Sequence, residues 1–219
     1  HTLPEAMVNL RILLDASRQP RYIGFYFGDV DGIMHEYGPV SAQARAEIET
    51  LLDTLLKQFL LPLKKHPRGE TLFLLTADHG HVEVDPETTI YLNRDPRFSG
   101  VEKFFKRNQA GNTLAPAGSA RDMFLYIQDD LLDEAQEFLQ SRLLGKADVV
   151  KTQTLIEAGY FGENISKTFL SRVGNLVILS YRYQSVWWYE KGKHEMNYYG
   201  HHGGLTAQEM EIPLITCEF

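Results

Sequence analysis

The chain has 219 residues, of which 43% are hydrophobic, enough apolar mass for a sizeable core. Its 22 basic against 29 acidic side chains leave a formal net charge of −7, which disfavours binding in a nucleic-acid groove, where a basic face must neutralise phosphates. No apolar run approaches the roughly 20 residues that cross a bilayer, and the single cysteine, Cys217, excludes an intramolecular disulfide and a cysteine-rich zinc site. Cys217 lies in the run Ile212–Glu218 and reads as a buried, inert strand residue, which leaves the redox compartment open. His1-Thr2-Leu3 shows neither an initiator Met nor a signal peptide, so the chain reads as a fragment or a processed product.

Thr2-Leu3-Pro4-Glu5 has the pattern of a capping box, and Met7, Leu10, Leu13 and Leu14 follow at helical spacing, predicting a helix to about Ser17. Tyr22–Phe27 lacks polar alternation and reads as a strand buried on both faces, emptying into a loop over Gly28–Pro39. Ser41 can cap a long crossover helix built on Ile48, Leu51, Leu52, Leu55, Phe59 and Leu63, which Pro62 kinks or ends. A second apolar strand, Thr71–Thr76, again ends in a polar loop, Ala77–His81. Strand, polar loop, helix, strand, polar loop is the grammar of an α/β core, a mainly parallel sheet flanked by helices with function gathered at the carboxyl ends of its strands.

Beyond Asp85 the rhythm changes. Strands are expected over Thr88–Leu92, Met123–Ile127, Asp148–Lys151, Leu176–Tyr181 and Val186–Tyr189, and helices over Val101–Arg107, Asp129–Leu144 and Gln153–Ala158. Residues 86–190 therefore read as an α+β cap inserted into a core formed by 1–85 and 191–219. The chain closes with a polar loop at Asn197–Gly204, a second capping box at Thr206–Glu209 and a core strand at Ile212–Cys217.

Five of the eight histidines crowd into three polar loops that each abut an expected strand. Asp31 and His35 stand four apart, a spacing that on a helical turn or compact loop lets a carboxylate and an imidazole reach one divalent ion. Asp78-His79 forms a second such pair directly after a strand, and His201-His202-Gly203-Gly204 adds imidazoles beside glycines that admit close backbone approach. Each piece alone has an ordinary structural explanation. Their joint placement at strand ends is what points to metal chemistry. The aromatics Tyr181, Tyr183, Trp187, Trp188 and Tyr189 read mainly as packing on paired strands.

Three motifs in this order, Asp31-x3-His35 with Tyr37-Gly38-Pro39, then Thr76-Ala77-Asp78-His79-Gly80-His81, then His202-Gly203-Gly204-Leu205-Thr206 through Glu211-Ile212-Pro213, resemble the alkaline phosphatase superfamily. The branch they look closest to is the type I phosphodiesterase/nucleotide pyrophosphatase one, and Thr89-Ile90-Tyr91-Leu92 also resembles its bacterial members. The resemblance implies an alkaline-phosphatase-like fold and two divalent metal ions, zinc or alternatively manganese. Asp31, His35 and His202 would hold one ion and Asp78 and His79 the other. His81 would touch substrate, line the mouth of the site or stand behind the ligands, and His201 would stand behind His202. Two ions about 4 Å apart can clamp the attacking and leaving oxygens of an in-line displacement, so an acidic chain can still bind a phosphate ester or nucleotide through its metals.

Members of the superfamily also carry, near the N-terminus, an Asp ligand and a Thr or Ser nucleophile. Neither has a match before Asp31, since Thr2 reads as a cap and Ser17 as a helix end. The expectation is a metal-dependent phosphodiesterase or nucleotide pyrophosphatase whose nucleophile lies in an N-terminal segment of the same protein outside this chain, leaving the chain alone catalytically crippled. A phosphonate hydrolase or phosphomonoesterase of the same superfamily is the nearest rival. A non-catalytic metal-binding module is the reading from a different class.

Overall fold

The computed structural model describes residues 2–16, 19–65, 71–193 and 195–219. The first helix, α1 (Leu3–Asp15), starts at the expected capping box, with the Glu5 amide donating to the Thr2 hydroxyl and the Thr2 amide to the Glu5 carboxylate, both at 3.4 Å. Ser17, expected at the helix end, lies outside the described residues.

The run Tyr22–Phe27 does not form the expected strand. It is extended without ladder partners among the described residues, and Tyr22 is 93% exposed. An apolar run with no neighbouring strand must satisfy its backbone with water, so its composition alone does not make it a strand. The stretch expected to be a loop, Gly28–Pro39, instead contains the helix α2 (Asp29–Tyr37). Asp29 and Asp31 in its first turn complement the positive end of the helix.

Ser41 caps α3 (Ala42–Leu55), its hydroxyl accepting from the Ala44 amide at 3.1 Å. Pro62 does not end this helical run. A π-helical turn over Leu56–Leu60 leads into α4 (Leu61–Lys65), which holds Pro62 in its first turn. A proline ring crowds the carbonyl four residues back, and a widened turn at that place gives it room.

Strand β1 (Leu72–Thr76) pairs antiparallel with the last strand, β10 (Leu214–Glu218), from Leu72↔Glu218 to Thr76↔Leu214. Phe73 and Leu75 point toward a small core of Met7, Leu55 and Phe59 contributed by α1 and the long helical run. The opposite face is open, with Leu72 61% and Leu214 72% exposed. The expected core position of these strands is thus corrected: β1 is covered on one face, β10 is largely exposed with Ile215 at 47%, and Cys217 is half-buried and free rather than buried.

The larger core lies beyond. Strand β2 (Val82–Glu83) meets β9 (Gly200–His201), and β3 (Ile90–Tyr91) runs parallel to β8 (Val186–Trp187). Strands β4 (Ala117–Gly118), β5 (Asp122–Leu125), β6 (Ala147–Lys151) and β7 (Leu176–Ser180) form an antiparallel sheet in the order β4-β5-β7-β6. Helix α5 (Leu132–Arg142) covers it, burying Ala135 and Leu139 with Met123, Leu125 and Ile178. Two short helices, α6 (Thr152–Glu157) and α7 (Lys167–Leu170), fill the connection to β7. The expected helix at Val101–Arg107 is only a 3₁₀ turn, Val101–Phe104. Phe104 and Phe105 are both fully buried, and Phe105 leaves the turn to bridge Ile127. Trp187 and Trp188 pack on the same core, whereas Tyr181 and Tyr183 stay exposed.

The molecule is a mixed α/β protein. Its sheets correct one detail of the expectation, because β3–β8 is the parallel strand pair among the described residues and the other pairs are antiparallel. With Tyr22–Phe27 outside any ladder, β1 lacks the parallel neighbour that the sequence pattern predicts. No helix among the described residues is long and apolar enough to cross a membrane.

Candidate metal centre

Three chain-distant segments meet at one point. Helix α2 presents Asp31 and His35 one turn apart, the turn between β1 and β2 carries Asp78, His79 and His81, and the end of β9 carries His201 and His202. The short ladder Val82↔His201 fixes the last two against each other. Helix α2 is pressed onto β9 at Gly200, where a Cβ would overlap the Met34 carbonyl oxygen and stand 3.0 Å from Pro39 Cδ. The Tyr199 amide then donates to the His35 carbonyl at 2.9 Å.

Asp31 is the hub. His81 Nε2 stands 2.7 Å from its Oδ1, and the Nε2 atoms of His35 and His202 each lie 3.6 Å from the same oxygen. His35 Nδ1 lies 2.8 Å from the Gly200 carbonyl, so that nitrogen carries the proton and Nε2 keeps its lone pair, the tautomer a metal ligand needs. The His202 amide donates to His201 Nδ1 at 2.8 Å, so His201 spends a ring nitrogen bracing its neighbour's backbone. The rings of His79 and His202 stack at 3.6 Å with 12° between planes. One donor atom each from Asp31, His79, His81 and His202 lies within 4.8 Å of the others.

This donor set fits a divalent cation. Donors sharing a tetrahedral ion at ~2.0–2.1 Å stand roughly 3.3 Å apart, close to the 3.6 Å separations of Asp31 from His35 and His202. His81 turns Nε2 to Asp31, and its Nδ1 is buried without a hydrogen-bond partner among the described residues. Burial pushes His202 down to about 4, helped by the imidazoles of His79, His81 and His35 and opposed by Asp31. Burial likewise brings His201 to about 4, opposed by the His202 carbonyl, which lies 2.9 Å from Nδ1 and accepts from it when the ring is protonated. His81 is also lowered, burial outweighing its bond to Asp31. For Asp31 burial acts upward, but the hydrogen bond from His81 and the imidazoles around it leave its carboxyl below the ordinary value. Neutral imidazoles beside an ionised carboxylate are the protonation states in which a cation is bound.

The expected site residues are therefore largely brought together, with two differences of position. His81, expected to touch substrate, line the mouth or stand behind the ligands, has a side chain only 4% exposed and lies inside against Asp31. Asp78 is peripheral, its side chain 65% exposed and its carboxylate 3.7 Å from His79 Nε2. Sequence reasoning did not find Tyr198, whose ring sits 4.5 Å from that of His35. Nor did it find Ser119, Arg121 and Asp122, which reach the His202 loop from about 80 residues away in sequence. No pattern in the sequence marks that pairing; the Glu209 end of it was visible only as a capping box.

The model of a family described as type I phosphodiesterase / nucleotide pyrophosphatase matches residues 3–205. No curated protein matches the sequence. Among solved structures, human ectonucleotide pyrophosphatase / phosphodiesterase 5 is similar with a TM-score of 0.67 and 18% identity, over 97% of this chain and 51% of that one. An inactive variant of the murine protein, in complex with AMP, gives 0.65 and 19%, over 96% and 51%. Phosphonoacetate hydrolase from Sinorhizobium meliloti, in complex with phosphonoformate, gives 0.57 and 18%, over 85% and 43%. At such identities the likeness is one of fold, and the chain spans about half the length of the first two structures.

Proposed function

This chain belongs to the type I phosphodiesterase / nucleotide pyrophosphatase family, and from that premise we propose that it is the metal-holding part of a hydrolase of phosphate esters, acting on phosphodiesters or nucleotide pyrophosphates. The observation that carries the reading is the convergence of Asp31, His79, His81 and His202 from three distant segments. The family depends on divalent metals; bound there, two such ions supply Lewis acidity toward phosphoryl oxygens and lower the pKa of a coordinated nucleophile.

The chain's own part is to hold and orient. Asp31, His35 and His202 hold one cation, and Asp78 and His79 contribute to the other, with zinc or manganese as the metal. His81 donates to Asp31 and keeps that carboxylate aimed, and His201 braces the backbone of His202. A nucleotide substrate accords with the AMP complex of the murine relative. An upstream segment of the same polypeptide supplies the Thr or Ser nucleophile. Residues 1–85 and 191–219 form the metal-binding core, and 86–190 form the cap.

The test compares the complete reading frame with the 219-residue chain on a nitrophenyl phosphodiester, a dinucleotide pyrophosphate, a phosphomonoester and phosphonoacetate, with divalent metal added. Diester or pyrophosphate turnover by the complete protein only, lost on Asp31→Asn, is expected. Preference for the monoester or phosphonoacetate shifts the activity to a neighbouring branch, and inactivity on all four overturns the reading.

A further inference from the structure

The loop His202-Gly203-Gly204 is gripped from both sides by one tetrapeptide of the 86–190 region, Ser119-Ala120-Arg121-Asp122. On one side the Ser119 hydroxyl lies between two acceptors that share its single proton, Asp122 Oδ1 at 2.6 Å and the His202 carbonyl at 3.2 Å, while accepting from the Arg121 amide at 3.1 Å. The Ser119 amide also donates to Asp122 Oδ1 at 2.9 Å, which fixes the carboxylate against the loop. The approach is so close that a Cβ on Gly203 would stand 2.6 Å from Ser119 Oγ and 2.9 Å from Asp122 Oδ1.

On the other side Arg121, fully buried, donates to both Glu209 oxygens at 2.9 Å and to the carbonyls of Tyr181, at 2.7 Å, and Gln184. Glu209 in turn accepts from the Gly204 amide at 3.0 Å and the Thr206 hydroxyl at 2.6 Å. None of these groups touches the His202 ring. Two of them touch the loop's peptide units, Ser119 at the His202 carbonyl and Glu209 at the Gly204 amide, while Asp122 holds Ser119 and Arg121 holds Glu209.

We propose that Ser119, seated between Asp122 and the His202 carbonyl, is a positioning residue of the metal centre. Through it, with the Arg121–Glu209 pair behind, the 86–190 region holds His202 Nε2 toward Asp31. The inference rests on the reading in which His202 holds a cation. Groups that orient a ligand from behind commonly carry a 10- to 100-fold effect on metal affinity, and here that effect is exerted through backbone rather than through the imidazole's second nitrogen.

Zinc affinity is measured by competition with a chromophoric chelator on the folded 219-residue chain, as wild type, Ser119→Ala and Asp122→Asn. Urea unfolding of the metal-free proteins runs alongside. Ser119→Ala is expected to weaken zinc binding about 10- to 100-fold with little change in metal-free stability. Asp122→Asn, which keeps an oxygen acceptor for the Ser119 amide and hydroxyl, is expected to weaken zinc binding less than Ser119→Ala does. Should the alanine variant not fold, Ser119→Cys, which retains a weak donor of similar size, is expected to show an intermediate loss. A folded Ser119→Ala protein that binds zinc as tightly as wild type overturns the inference and leaves the metal reading standing. A wild-type chain that binds no zinc overturns that reading and the inference with it.

Discussion

Replacing Arg121 by methionine removes the cation from a pair that is almost completely shielded from water, Glu209 being 2% exposed. The variant loses two charge-assisted hydrogen bonds to Glu209 and leaves the Gln184 carbonyl without its donor. The carboxylate keeps only the Thr206 hydroxyl, the Gly204 amide and the weaker Thr206 amide contact at 3.4 Å. Removing one partner of a buried ion pair costs about 3–5 kcal/mol, because the other charge stays behind. The apolar methionine stem recovers part of the packing, so a loss of about 3–4 kcal/mol is expected. Urea denaturation at pH 7, followed by fluorescence and far-UV circular dichroism together, reads it as a lowered midpoint at unchanged slope. The double variant Arg121→Met/Glu209→Leu should be more stable than Arg121→Met alone, because no uncompensated charge remains. Arg121→Met costing under about 1 kcal/mol, or a double variant less stable than the single, would refute the reasoning. The sign with pH follows the same pair. Burial pushes Glu209 up, but Arg121 and Thr206 outweigh it and hold its carboxyl below the ordinary value. Its contribution is therefore present at neutral pH and lost as pH falls below the ordinary carboxylate range through the folded value.

Three further outcomes are expected. Gly200→Ala should separate α2 from β9, since its methyl would overlap the Met34 carbonyl oxygen; a loss of about 2–3 kcal/mol together with weakened zinc binding is the predicted pairing, and unchanged values for both contradict the packing argument. In metal-free protein, His201 and His202 are brought to about 4 by burial, whereas the unfolded chain protonates near the ordinary histidine value. Stability from the neutral rings is thus complete above about pH 6.5 and drains away between there and pH 4, by up to about 3 kcal/mol for the buried His201. Denaturation at pH 7.5, 5.5 and 4.5 checks it, with His201→Gln flattening the slope if the assignment holds. Elemental mass spectrometry after gel filtration should find about one tightly held ion per chain, absent in Asp31→Asn. No ion after repletion with zinc and manganese defeats the site.

The chemistry-bearing residues were legible because their types and neighbours are local facts. Asp31 and His35 four apart, Asp78-His79 after an apolar run, and His202 before two glycines announce ligands wherever the chain goes. Capping at Thr2, Ser41 and Thr206 was equally local and was realised at each place, since a side-chain oxygen meets an amide only three residues away. Helix α2 was missed because its four apolar and aromatic residues are interleaved with acids and a glycine; its helicity comes from docking against α3 and β9 rather than from propensity.

Partnership across the chain was a different matter. Whether Tyr22–Phe27 is a strand depends on what lies beside it, and β1 has β10 on one edge and no ladder to that run. The same dependence on a covering partner left Leu72 and Leu214 exposed although their runs read as core. His81 moved inside, Asp78 stayed at the rim, and Ser119 and Arg121 reached His202 and Glu209 only through the tertiary structure. The sequence by itself determined which groups are available and which turns and helix starts they flank, because those rest on interactions a few residues long. The tertiary structure decided which of them share a carboxylate and which brace the loop that carries His202, because distances of a few ångströms between residues 50 to 170 apart are set by how sheets and helices stack, which no local pattern records.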